Sequence, residues 1–127
     1  MVGMLAAGAA AQGRDCRDPG KPMLVIDLLF GRNIGGRLGV SEQSWSRFLA
    51  HEITPRFPDG LTVIDANGQW RDPAGSRITR ERSKLVMIVT EAGGDWRARV
   101  DAVVAAYKSR FRQQSVGVVT RMACAAF

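Results

Sequence analysis

Residues 53–70 read ITPRFPDGLTVIDANGQW. Within this run a helix must end, the chain must turn and a strand must begin. Pro55 pushes Thr54 out of helical geometry, so a preceding helix stops near Ile53. Pro58 and the Asp59-Gly60 pair turn the chain, and Phe57 is placed to plug the corner. Residues 61–66 then alternate well enough for a half-buried strand. Asn67-Gly68 is a common hairpin signal, but Gln69-Trp70-Arg71 carries on as strand. The pair is therefore predicted as a bulge, and the stronger turn follows at Asp72-Pro73-Ala74-Gly75. The return arm starts at Arg77, passes through polar residues 79–84 and enters the apolar run LVMIV at 85–89. The result is one long hairpin with a polar, exposed tip and a buried base.

Upstream, residues 23–30 (MLVIDLLF) form a nearly unbroken apolar run closed by Gly31, as expected of a strand buried on both faces. Asp27 is its single polar residue. At period two, Leu24, Ile26, Leu28 and Phe30 share one face, and Val25, Asp27 and Leu29 the other. Residues 32–40 are a Gly-rich loop. Ser41 has the chemistry of an N-cap, Glu42 suits the first turn, and Val40 with Trp45 forms a hydrophobic staple. Trp45, Phe48, Leu49 and Ile53 follow at helical spacing. Downstream, Gly93-Gly94 stops the return strand and Asp95 is a second N-cap. Trp96, Val100, Val103, Val104, Tyr107 and Phe111 then lie on one helical stripe. A last strand starts at Ser115 and runs toward Phe127.

The order strand, helix, strand, strand, helix, strand is the split βαβ pattern. The expected fold is thus α+β, a ferredoxin-like βαββαβ domain. Right-handed crossovers place both helices on one face of a four-stranded antiparallel sheet of order 4-1-3-2. Residues 23–127 make up that single domain, and residues 1–22 a leader. The small apolar residues 1–11, with Ala9 and Ala11 spaced for cleavage, read as an export signal, which implies a periplasmic or secreted protein; the alternative is a disordered Ala-rich leader on a cytoplasmic one. No segment offers about 18 uninterrupted apolar residues, so no transmembrane helix is expected.

The chain of 127 residues carries a net charge of +6, with 46% hydrophobic and 24% charged residues. The basic residues are dispersed, with no dedicated tail. One histidine, His51, and two cysteines without C-x-x-C spacing leave no metal site, and no cofactor is expected. A G-x-S-x-G elbow is absent. The loop at 31–39 (GRNIGGRLG) precedes a helix but lacks the phosphate-binding patterns, and it reads as a connection. Nucleic-acid binding is disfavoured, because the third strand has none of the stacking aromatics of an RNA-recognition motif.

Cys16 precedes the first strand and Cys124 closes the last. An antiparallel pairing of those strands brings the two ends together. A disulfide forms if the Cα atoms approach within about 7 Å; otherwise the cysteines are two small unpaired apolar residues. A polar set is expected to converge on the open sheet face: Asp27, Asp65, Gln69, Glu81, Ser83 and Lys84, bordered by Trp70 and Arg80. A buried Asp27 needs a cation such as Lys84 or Arg121. Arg56 at the bend joins Asp27, Gln69, Trp70, Glu81, Ser83 and Lys84 as the candidate ligand-binding residues. Val25, Leu29 and Val63 are expected on the same open face, where two copies of the chain can pair as a homodimer.

Several runs together resemble a bacterial domain of unknown function, family three-five-seven-four. They are Phe30-Gly31, residues 54–63 (TPRFPDGLTV), Gly68-Gln69-Trp70, Ser83-Lys84, Ala106-Tyr107-Lys108, Arg110-Phe111, Gln114-Ser115-Val116, and Cys124 with Phe127. Leu29 and Gly117 depart from the family pattern. The resemblance implies a small, often exported protein and supplies no catalytic residues. The expected function is a binding or interaction domain without catalytic activity. An enzyme or sensor using the open sheet face for a small ligand is the alternative, and a basic nucleic-acid binder ranks below both.

Overall fold

A computed structural model describes residues 15–127. The elements in order are β1 (Lys21–Gly31), β2 (Asn33–Ile34), β3 (Arg37–Leu38), α1 (Glu42–Phe48), a single π turn (Leu49–Ile53), β4 (Thr62–Arg71), β5 (Ile78–Thr90), α2 (Trp96–Phe111) and β6 (Gly117–Ala125). The export-signal reading of residues 1–11 lies outside the described residues.

The molecule is a mixed α/β domain with a four-stranded antiparallel sheet and two helices. The strands lie in the order β4-β5-β1-β6, and β2 with β3 forms a separate two-stranded ribbon. That ribbon replaces the loop expected over 32–40. Gly35 and Gly36 sit between its strands at φ 61° and 82°, a conformation that glycine adopts without steric cost. Its base is tied down where the amides of Gly39 and Val40 both donate to the Arg32 carbonyl.

β1 is central because it is apolar on both faces. Its even residues, Leu24, Ile26, Leu28 and Phe30, are buried with Val86 and Ile88 of β5. α1 adds Trp45 and Phe48, and α2 adds Val100, Val103, Tyr107 and Phe111. The Phe30 ring lies 4.7 Å from that of Tyr107 and 5.1 Å from that of Trp45. Such tilted and edge-on aromatic pairs add about 0.5–1.5 kcal/mol each beyond their buried area.

Helix ends follow local chemistry. Ser41 Oγ accepts the Ser44 amide at 3.1 Å, and the staple residues Val40 and Trp45 are both buried. The helix widens at Leu49–Ile53, where the Thr54 amide reaches the Leu49 carbonyl, and it stops before Pro55 as expected. Phe57 fills the corner, with the Arg99 guanidinium 4.8 Å above its ring. Asp95 behaves differently from the expectation. At φ −101° and ψ 22° it makes no side-chain cap bond, and its carboxylate lies 2.9 Å from Arg99 Nε as an ion pair.

The β4–β5 register is continuous from Thr62↔Met87 to Arg71↔Ile78. Asn67-Gly68 therefore makes no bulge: both residues stay in the ladder, and the chain reverses at Asp72–Gly75, where the Gly75 amide donates to the Asp72 carbonyl. Cys16 and Cys124 are bridged, with Cα atoms 5.5 Å apart, next to the point where Pro22 of β1 pairs with Cys124 of β6. Among the described residues, no helix is long and apolar enough to cross a membrane.

Candidate functional site

The predicted polar set does not converge; it divides between the two faces of the sheet. Partners across the β1–β5 ladder include Asp27↔Met87 and Gly31↔Ser83, so odd residues of both strands share a face. Across β4–β5 the partners are Ala66↔Ser83, Gly68↔Glu81 and Trp70↔Thr79, so the even residues of β4 join that face. Because strand side chains alternate strictly, Asp27, Trp70, Glu81 and Ser83 lie on the open face. Asp65, Gln69 and Lys84 lie on the helix side. Val63 is also corrected: it pairs with the buried Val86 and packs against the core.

On the helix side Lys84 is 4% exposed. Its ammonium donates to Glu42 Oε2 at 2.9 Å and to Asp65 Oδ1. Arg32, equally buried, meets Glu42 at 3.0 Å and donates through Nε to the Val40 carbonyl. The cations are buried, while the carboxylates of Glu42 and Asp65 are 65% and 79% exposed. Burial opposes the charge on Lys84, but its hydrogen bonds to Asp65 and Glu42 outweigh that and raise its pKa. The hydrogen bond from Lys84 in turn lowers the pKa of both carboxylates. The cluster joins β4, β5, α1 and the residue after β1 as a clasp, with its cations turned inward and its carboxylates toward solvent.

Arg56 also stands apart from the others. It donates to the Glu52 carbonyl at 2.9 Å and to the Glu52 carboxylate at 2.8 Å, closing the end of the helix. Asp27 takes Arg121, one of its two expected partners, at 2.5 Å through Oδ2; Lys84 faces the other way. Asp27 Oδ1 is buried without a hydrogen-bond partner.

What remains on the open face is a groove of about 770 Å³ between the β4–β5 hairpin and the α2–β6 connection. Its floor is poor in side chains, because Gly31, Gly68 and Gly117 all face it. Glu81 lies directly over Gly31, where a Cβ would come within 2.7 Å of the carboxylate oxygens. The Asn33 amide donates to Glu81 Oε2 at 3.1 Å and fixes the carboxylate. Trp70, 49% exposed, and Ser83 complete the lining. Two residues outside the predicted set hold this arrangement from behind. Tyr107 OH donates to the Gly31 carbonyl at 2.5 Å, and Gln113 Nε2 donates to the Asn33 carbonyl at 2.7 Å. Tyr107 was legible only as a core residue; that its hydroxyl emerges under Gly31 depends on how α2 crosses β1. The groove thus offers a fixed anionic acceptor, a hydroxyl and an indole face around an open floor, a set suited to a flat group that donates hydrogen bonds. No cluster of three or more His, Cys, Asp or Glu suited to a metal ion occurs among the described residues.

A family model described as "Protein of unknown function (DUF3574)" matches residues 26–127. No curated protein matches the chain. Among solved structures, a phage SAM lyase in complex with S-methyl-5'-thioadenosine is similar, with a TM-score of 0.62 at 15% identity. The match covers 83% of this chain and 90% of the lyase. The phage SAM lyase in its apo state gives a TM-score of 0.60 at 16% identity, over 80% of this chain and 81% of that one. At these identities the likeness is one of fold.

Proposed function

The chain belongs to the DUF3574 family of proteins of unknown function, and on that premise we propose that it is a binding domain whose open sheet face takes a small planar ligand carrying hydrogen-bond donors. The observation that carries this reading is the Glu81 carboxylate, fixed by the Asn33 amide over Gly31 and flanked by the exposed Trp70. An aromatic ring stacked on the indole gains about 1–3 kcal/mol, and a donor placed on the carboxylate about 1.5–3 kcal/mol. The topology is read as ferredoxin-like, with the helices on one side of the sheet and the other side free for this role. The domain is read as exported and non-catalytic. The Cys16–Cys124 bridge supports an oxidising compartment.

S-methyl-5'-thioadenosine, the ligand of the similar phage lyase, combines a flat base with an exocyclic amine. It is therefore the first probe to use. Calorimetric titration of the purified protein with this nucleoside should give saturable binding. W70A and E81Q should each weaken it about tenfold, or about 1.4 kcal/mol. An absence of heat in the wild type, or affinity unchanged in both variants, would overturn the reading. The likeness to a lyase favours one alternative, an enzyme acting at the same groove. Turnover of S-adenosylmethionine that is lost in E81Q would establish it over simple binding.

A further inference from the structure

We propose that two copies of this chain join edge to edge through β6, forming one continuous eight-stranded sheet with Thr120 on the two-fold axis. Among the described residues, β6 pairs only with β1. Its outer edge therefore carries unpaired backbone N–H and C=O groups along nine residues, Gly117–Ala125. Natural edges of this length are normally blunted by proline, a bulge or several charges. β6 contains no proline, its ladder with β1 is unbroken from Gly117 to Ala125, and its one charge is Arg121. Val118, Val119 and Met122 are all exposed. Val118 and Met122 stand on the helix side of the sheet, since they pair with Leu28 and Leu24, yet the helices leave them uncovered.

The sequence of β6 is self-complementary in one antiparallel register. Centring the pair on Thr120 sets Val118 opposite Met122 of the second copy, and Met122 opposite its Val118, around a central Thr120 pair. Cross-strand pairs of this kind stabilise a sheet by about 0.2–1 kcal/mol each. The same register sets Val119 opposite Arg121 of the second copy. Centring on Arg121 would instead oppose two arginines directly. Charge also favours the Thr120 register. Asp27 pairs with Val119 in the β1–β6 ladder, so Arg121 of the second copy falls in the same cross-strand row as Asp27, one strand further on. There it approaches a carboxylate that also holds Arg121 of its own chain. Two aspartates and two arginines then form one balanced group across the axis. Edge pairing leaves the groove on the open face accessible, which the face-to-face dimer expected from the sequence does not.

The test is sedimentation of the full oxidised chain over a rising concentration series. The expected mass at the upper end is twice the 13.8 kDa of one chain. V118K/M122K sets lysine opposite lysine at both flanking pairs and should return the single-chain mass. V118K/M122E sets lysine opposite glutamate and should restore the doubled mass. Circular dichroism checks that each variant is folded; the substituted side chains are exposed in the single chain. Three outcomes would overturn the proposal: a single-chain mass throughout for the wild type, a doubled mass that survives V118K/M122K, or a failure of V118K/M122E to restore it. The second of these would point to face-to-face pairing.

Discussion

Tyr107 shows how one side chain serves both the core and the groove. Its ring packs among Phe30, Phe48 and Phe111, while its hydroxyl donates to Gly31. Burial pushes the phenol far above its ordinary pKa, with the nearby Arg32 opposing and Glu81 adding to the shift. The phenol therefore stays protonated, and a donor, at neutral pH. Tyr107→Phe keeps the packing and removes the donor to a part-buried carbonyl, so it should cost about 1 kcal/mol in urea denaturation. It should also weaken ligand binding at the groove, because Gly31 supports Glu81. An unchanged affinity in a destabilised variant would assign Tyr107 a purely structural role.

At the scale of elements, the clasp formed by Arg32, Glu42, Asp65 and Lys84 decides how α1 sits on the sheet. It also gives stability a defined pH dependence. Glu42 and Asp65 have folded pKa values below their ordinary 4.5 and 3.8. Their contribution is present above those values and is lost as pH falls through the lower folded ones. Lys84 has a folded pKa above 10.5. Its contribution is complete below 10.5 and is lost as pH rises through the folded value. Thermal midpoints followed from neutral pH down through the carboxylate range should fall for the wild type. Lys84→Met should show a shallower fall; parallel curves for the two proteins would show that the clasp does not couple to stability. Lys84 was legible only as one of two cations that could meet Asp27. Which carboxylates it meets was not, since Glu42 is contributed by a helix 42 residues away.

At the scale of the whole molecule, the Cys16–Cys124 bridge ties the start of the described chain to the end of its last strand, across a separation of 108 residues. A loop of that length contributes about 4–5 kcal/mol in the chain-entropy model. Reduction, or Cys16→Ser with Cys124→Ser, should lower the denaturation midpoint accordingly. A free-thiol assay on unreduced protein should find none. Two titrating thiols, or an unchanged midpoint, would contradict the bridge.

The sequence by itself determined the main strands and helices and the apolar stripes of β1 and α2. Proline and glycine punctuate the chain wherever they stand. A period of two or 3.6 marks a buried stripe whatever it packs against. For that reason the turn at Pro55–Gly60, the apolar β1 and the α2 stripe were all readable in advance. Tertiary structure alone decided which side chains meet. A strand places alternate residues on opposite faces, and the ladder between two strands determines which parity of one joins which parity of the other. No local pattern in β4 says that its even residues share a face with the odd residues of β5. Hence Lys84 and Asp65, expected beside Asp27, lie on the far side of the sheet. Gln69-Trp70 likewise divides between the two faces by strand parity, with Trp70 on the groove's face of the sheet.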